Sequence, residues 1–357
     1  MNQDTERFYI LDIFRFLASI AIVLFHYKLF YANNVNLDPF ITNQQPLYNV
    51  FFLAYEHGWV AVQFFFLLSG FIFYSFYLDK ISKNKIDFFN FFLLRFSRLY
   101  PLHLLTFILM IVIASTKIIV FTNMDIFHFF LNIFLIQAWG FETGGSFNDP
   151  AWSISIEILM YSIFFFISLR KKTIFLTTTF LILVSSVIIF KFKLLGYGGL
   201  CFYIGGMISL LYNRFKDQIF NKNKNKKKVL LLLFIQILLT IIIISKFAFS
   251  SIQIKIILFF YFFPLIILTS IFLQQYKPLF ISKISKIGNI SYSIYMIHYV
   301  LQYYIISAVA YLKVVVNFNS PLVLLSYLVV LILISYFSNK YFEKPIQKSL
   351  RVKFFHK

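Results

Sequence analysis

Residues 13–27 read IFRFLASIAIVLFHY, an apolar run interrupted by Arg15 and His26. Extended to 10–31, the run is long enough to cross a bilayer as a helix, which takes roughly 20 residues. Ionisable residues inside such a run are costly and point to function. The rest of the chain repeats the pattern. Of its 357 residues, 60% are hydrophobic and only 13% charged, with a mean hydropathy of +0.81; soluble domains have roughly 45–50% and 25%. The 51 Phe and 23 Tyr suit lipid-facing and interfacial positions. The single cysteine, Cys201, excludes an internal disulfide.

Further apolar runs lie near 55–78, 99–121, 151–169, 174–190, 197–213, 229–245, 256–274, 288–312 and 319–341. With 10–31 they predict ten spans. Another run, DIFHFFLNIFLIQAWG at 125–140, is short for a crossing at about 1.5 Å per residue. Loop charge decides its status. With ten spans and both termini cytoplasmic, 25 of the 33 Lys and Arg fall on the inner side and six on the outer side. Counting 125–140 as a span would reverse every later loop and destroy that asymmetry. The segment is therefore expected to be re-entrant or interfacial, sheltered by protein or beside a water-filled cavity.

The expected fold is all-α: a polytopic integral membrane protein with about ten transmembrane helices plus one short re-entrant or interfacial helix. It is expected to form a single domain over 1–357 with no soluble domain. The first run lacks a small-residue cleavage site and reads as a retained helix, not a signal peptide. The net charge of +20 resides in the inner loops, NKNKNKKK at 221–228 among them. It is an orientation signal, not a nucleic-acid surface.

The polar residues inside the runs set the chemistry. Arg15 and His26 are eleven residues apart, so on a helix they share a face, roughly 16–17 Å apart along the axis. Arg15 falls near the inner end, where it also suits an interfacial anchor. His26 falls near the outer end, as a functional base or as a hydrogen-bonded core histidine. In DPAWSISIE (149–157), Pro150 suits a helix start. Glu157 then lies about 9 Å down a helix entering from outside, at nearly the depth of His26. A carboxylate beside a histidine can orient a general base. LLRFSRLYPLH (93–103) sets Arg95 and Arg98 one turn apart on the inner side, as a fork for phosphate or as positive-inside anchors. In HGWVAVQFFFLLSGFIF (57–73), Ser69 and Gly70 suit close helix packing, and His57 sits at the outer mouth. ISYSIYMIHYV (290–300) adds a polar stripe of Ser291, Tyr292, Ser293 and Tyr295, then His298, lining a cavity or packed as core. No metal-ligand spacing occurs, and no metal is expected.

These segments resemble acyltransferase family 3. LDIFRFLASIAIVLFHY is similar to the family's opening helix, with arginine, ten residues, then histidine. HGWVAVQFFFLLSGFIF resembles its second-helix signature, RFSRLYP its Arg-x-x-Arg element and WSISIE its Trp-Ser-Leu-Ser-x-Glu block. SYSIYMIHYV resembles its late Ser-Tyr-Ser-x-Tyr-x-x-His segment, and YFEKP (341–345) its C-terminal end. The six occur in the family's order along the whole chain. Phe14 and Phe16 flank Arg15 where the family often has glycine, and Tyr299, Val300 and Leu301 follow His298 where it often has proline.

The resemblance implies O-acyl transfer, usually of acetyl, from cytosolic acetyl-CoA to a hydroxyl of a surface polysaccharide or lipid-linked sugar. The expected place is the inner (cytoplasmic) membrane, within the lipid bilayer, with no nucleic acid involved. His26 is then the base and Glu157 its orienter. Arg15, Arg95 and Arg98 hold the CoA phosphates. His57, Trp152, Ser153, Tyr292 and His298 line the cavity or meet the acceptor. A transporter or exporter, or an acyltransferase acting on a small molecule or lipid, are the alternatives.

Overall fold

A computed structural model describes residues 8–31, 43–117, 122–141, 144–221, 231–239, 251–274 and 278–355. Every regular element among the described residues is helical, and nine helices there are long and apolar enough to cross a membrane. Of the expected span at 229–245, 231–239 lies within the described residues, as helix, and the rest lies outside them.

Helix α1 is Tyr9–His26, extended by a 3-10 turn, Tyr27–Tyr31. The expected second span, 55–78, is broken in two. Helix α2, Tyr48–His57, ends at Gly58, and α3 runs Val60–Ser82. A Cβ at Gly58 would strike the Ala21 carbonyl and Phe25 of α1, so only glycine lets this corner close.

Helix α4, Phe88–Ser115, begins eleven residues before the expected span at 99. Asp87 starts it by accepting from the Asn90 backbone N–H at 2.8 Å, an N-cap that satisfies one of the free donors of the first turn. Arg95 and Arg98 therefore stand on the helix itself. The run at 125–140 yields α5, Ile126–Phe134, stopped by Leu135 in the left-handed region. Nine residues span only about 13 Å, too little to cross. Asp125 caps α5, accepting from the backbone N–H of His128 at 2.9 Å and from its ring at 2.8 Å. These donors hold its carboxyl below the ordinary range.

The remaining helices are α6 (Trp152–Ser168), α7 (Ile174–Ile188), α8 (Lys193–Asn221), α9 (Ser251–Ile257), α10 (Phe263–Gln274), α11 (Pro278–Ile284), α12 (Ser291–Leu312), α13 (Pro321–Phe337) and α14 (Lys344–Phe355).

Contacts divide the chain into two compact units. The first comprises 1–15, 63–86 and 163–288. Its α3 and α8 meet backbone to backbone: a Cβ on Gly70 would overlap the Phe202 carbonyl, and one on Gly205 the Leu67 carbonyl. Small residues allow such approach in membranes, which gives the Ser69–Gly70 step a packing role. Around the crossing, Phe73, Tyr74, Phe164 and Phe202 pack ring on ring. Tyr74 is bonded to Thr178 at 2.9 Å and Ser75 to Ser209 at 2.8 Å.

The second unit comprises 16–62, 87–162 and 289–357. Its apolar core joins Val23, Leu24, Tyr27 and Phe30 to Ile294, Leu324, Tyr327 and Leu331. Within it the short helix α5 packs on one side, burying Leu131 and Asn132 and leaving Ile126, Phe127, Phe130 and Phe134 exposed. Its closing carbonyls accept from α4, Asn132 from His103 Nε2 at 2.9 Å and Ile133 from Tyr100 at 3.1 Å. Buried Asn132 in turn donates to Ser146 at 2.7 Å. That satisfies the polar ends a non-spanning segment would otherwise leave bare.

Candidate active site

Helix α12 is the spine of the site, all of it within the second unit. Successive residues fasten neighbouring segments through polar groups. The Tyr292 hydroxyl donates to the Leu99 carbonyl of α4 at 2.5 Å. Ser293 donates to Glu343 at 2.6 Å, and Ser338 reaches the same oxygen at 3.0 Å. The Tyr295 hydroxyl donates to the Pro150 carbonyl at 2.7 Å and meets Ser153 at 2.8 Å. The Met296 carbonyl accepts from Asn148 at 3.1 Å. One turn further, His298 Nε2 lies 3.2 Å from His26 Nδ1. Finally Gln302 donates to the His26 carbonyl at 3.1 Å.

The row has two ends. Tyr292 and His298 are six residues apart, about 9 Å along the axis. At the Tyr292 end, Arg98, Glu157 and Glu343 all act electrostatically on Tyr292. Arg95 lies over the Phe91 ring, 5.4 Å from its centroid. Arg351 of α14 reaches the same turn of α4, with bonds of 3.3 Å to Ser97 Oγ and to the Leu94 carbonyl. At the other end, the His26 and His298 rings are 5.1 Å apart between centroids, and Tyr299 stands edge-on to His26 at 6.0 Å. Tyr303 lies beside Tyr299, ring centroids 4.9 Å apart. Asp149 acts electrostatically on Tyr295, Tyr299 and Tyr303.

The histidine pair is fixed chemically. His298 is fully buried, and its Nδ1 is 2.6 Å from the Tyr295 carbonyl. A carbonyl only accepts, so Nδ1 carries the proton, and in the neutral ring Nε2 is an acceptor. His26 Nδ1 is 3.1 Å from the Ile22 carbonyl, so it too carries a proton, shared between that carbonyl and His298 Nε2. The lone pair of neutral His26 therefore resides on Nε2, which has no hydrogen-bond partner among the described residues. A half-buried imidazole with a free basic nitrogen is equipped to take a proton from a hydroxyl.

The other expected site residues are distributed as follows. Glu157 accepts from the Tyr161 hydroxyl a turn later; the hydrogen bonds of His26 run to Ile22, His298 and Gln302. Arg15 belongs to the first unit and is paired with Asp12 at 3.2 Å. His57 is exposed at the end of α2. Trp152 opens α6, and Ser153 and Tyr292 serve as fasteners of α12. The polar stripe of Ser291 to Tyr295 did signal this spine. Asn148, Asp149, Gln302, Glu343 and Arg351 were passed over. Asp149 stood in the quoted DPAWSISIE, and Glu343 in YFEKP; nothing in spacing marked the other three.

The family comparison now has a site to attach to. The family model described as Acyltransferase domain, family 3, matches residues 8–340. The chain belongs to this acyltransferase family. Its nine long apolar helices among the described residues suit a multi-pass membrane protein. A curated relative, Acyltransferase MdmB of Streptomyces mycarofaciens, is 33% identical over 111 residues, 30% of this chain. That match spans 27% of the relative's own length. No solved structure matches the chain.

Proposed function

We propose that this acyltransferase moves an acetyl group from cytosolic acetyl-CoA to a hydroxyl of a surface polysaccharide or lipid-linked sugar, from a position in the cytoplasmic membrane with both termini inside. His26 is the general base. The observation that carries this reading is the single unshared nitrogen of the His26–His298 pair, Nε2 of His26. The acceptor hydroxyl gives its proton to that nitrogen as its oxygen attacks the thioester carbonyl carbon. The new C–O bond forms, the C–S bond breaks, and the departing CoA thiolate takes the proton back from Nε2. Atoms and charge balance with no other reactant.

Two further features support it. Gln302 Oε1 and Asn148 Oδ1 are buried and have no partner among the described residues. Their amide nitrogens face carbonyls, so these oxygens are fixed as acceptors, the type of group a sugar hydroxyl would meet. At the Tyr292 end, Arg95, Arg98 and Arg351 gather guanidinium groups on one turn of α4, chemically suited to the phosphates of CoA. The same role for Arg15 rests on the sequence alone. Glu157 enters this reading as a charge near Tyr292 and Tyr295, not as the orienter of His26.

The test is transfer of label from radiolabelled acetyl-CoA to glycan, lipid and small-molecule fractions of membranes that contain the protein. His26→Ala should abolish it while membrane insertion stays intact. Label appearing at the normal rate in the variant would remove His26 as base. Label in lipid or in a soluble small molecule alone would overturn the polysaccharide acceptor.

A further inference from the structure

Histidine 298 is the second member of a pair whose geometry has a consequence for catalysis. It touches no free surface, being wholly buried. Its Nδ1 proton is committed to the Tyr295 carbonyl at 2.6 Å, and its backbone carbonyl accepts from Tyr327 at 3.3 Å. The ring is thus held at Nδ1 and offers one group, the Nε2 lone pair, to His26 Nδ1 at 3.2 Å.

We infer that His298 is the positioning residue of the reaction: it holds the proton of His26 on Nδ1 and keeps Nε2 of His26 as the base. The inference rests on His26 being that base. Three observations carry it. The first is the 3.2 Å contact between the rings. The second is the forced donor role of His298 Nδ1, which leaves its Nε2 only an acceptor. The third is that the other Nδ1 neighbour of His26 is the Ile22 carbonyl of its own helix at 3.1 Å, so His298 is the partner that Nδ1 has from another helix. When Nε2 of His26 takes the hydroxyl proton, the charge on the ring strengthens the Nδ1–H bond to His298. The neutral His298 then supports a cation without itself changing protonation. In many histidine bases a carboxylate fills this position; here a second imidazole does.

The chemistry makes a specific demand on the replacement. Glutamine carries an amide oxygen near the position of imidazole Nε2, so it can still accept from His26. Alanine cannot.

The experiment compares His298→Ala, His298→Gln and His26→Ala in detergent-solubilised full-length protein and in native membranes. Transfer of label from radiolabelled acetyl-CoA gives apparent kcat and KM, and the 15N spectrum of ring-labelled histidine reports the His26 tautomer. His298→Ala is expected to lower kcat at least about tenfold with KM for acetyl-CoA changed less than about twofold. The His26 spectrum should move from a pure Nδ1–H tautomer to a mixture. His298→Gln should recover most of the rate and the single tautomer. Should His298→Ala unfold the protein, the His298→Gln spectrum and rate still decide. A His298→Ala enzyme of normal kcat overturns the inference, as does a His298→Gln enzyme that keeps the tautomer yet loses the rate. Retained transfer in His26→Ala instead overturns the base assignment itself, so the two failures are distinguishable.

Discussion

The two units are held together by different means. In the first, α3 and α8 touch through Gly70 and Gly205, with aromatic rings filling the flanks. In the second, α12 is tied to its neighbours by hydroxyl, carboxylate, amide and imidazole groups in succession. Lipid cannot drive helix association as water does, so both close approach and hydrogen bonds serve as glue. The polar row also holds helices together, and it leaves groups such as His26 Nε2 free for reaction. Ligand-binding and catalytic polar groups in membranes cluster where a buried network already meets their desolvation cost.

Substitutions should separate the two modes. The largest effect on chemistry is expected from His26→Ala, a loss of about 10²–10⁴ in transfer rate with unchanged thermal stability in detergent. Next comes Gly205→Leu in the first unit. Its side chain has no room against the Leu67 carbonyl, and overpacking costs about 1–3 kcal/mol or more. A clear fall in Tm is expected, with any protein that does fold keeping its acetyl-CoA affinity. If Gly205→Leu left Tm unchanged, the packing account of the first unit would be wrong.

Ser293→Ala removes one of the hydroxyls on the buried Glu343 carboxylate. It should cost about 1–3 kcal/mol, read as a lower Tm together with slower transfer, because Glu343 and Arg98 act on the same tyrosine. Arg351→Ala frees the Ser97 and Leu94 acceptors and removes one guanidinium. Acetyl-CoA binding, measured by calorimetry, should weaken several-fold and more steeply at low salt. Unchanged affinity would return Arg351 to a fastening role. The smallest effect belongs to Asp79→Asn, which breaks an ion pair with Lys171 whose side chains are 62% and 51% exposed. Such pairs contribute about 0.5 kcal/mol, so Tm should barely move.

Much of this architecture was legible from residue type and spacing. Long apolar runs can satisfy their backbone in lipid only as helices, which made the spans readable. Length and loop charge together identified 125–140 as no crossing, and α5 is a nine-residue helix. The boundaries at α2/α3 and at the start of α4 were not legible. Apolar content does not register a glycine corner packed on another helix, nor the Asp87 cap that starts α4.

For the site, the sequence by itself determined which residues were out of place in lipid: Arg15, His26, Arg95, Arg98, Glu157 and His298. A charge or imidazole in an apolar run is conspicuous wherever it sits. Helical periodicity could add the face and depth of each residue, because both follow from its own helix. Which of them meet is a matter of rotation and translation between helices, and that is fixed by packing far along the chain. Tertiary structure therefore decided that His26 is joined by His298, 272 residues away, while Glu157 is held by Tyr161 one turn along its own helix.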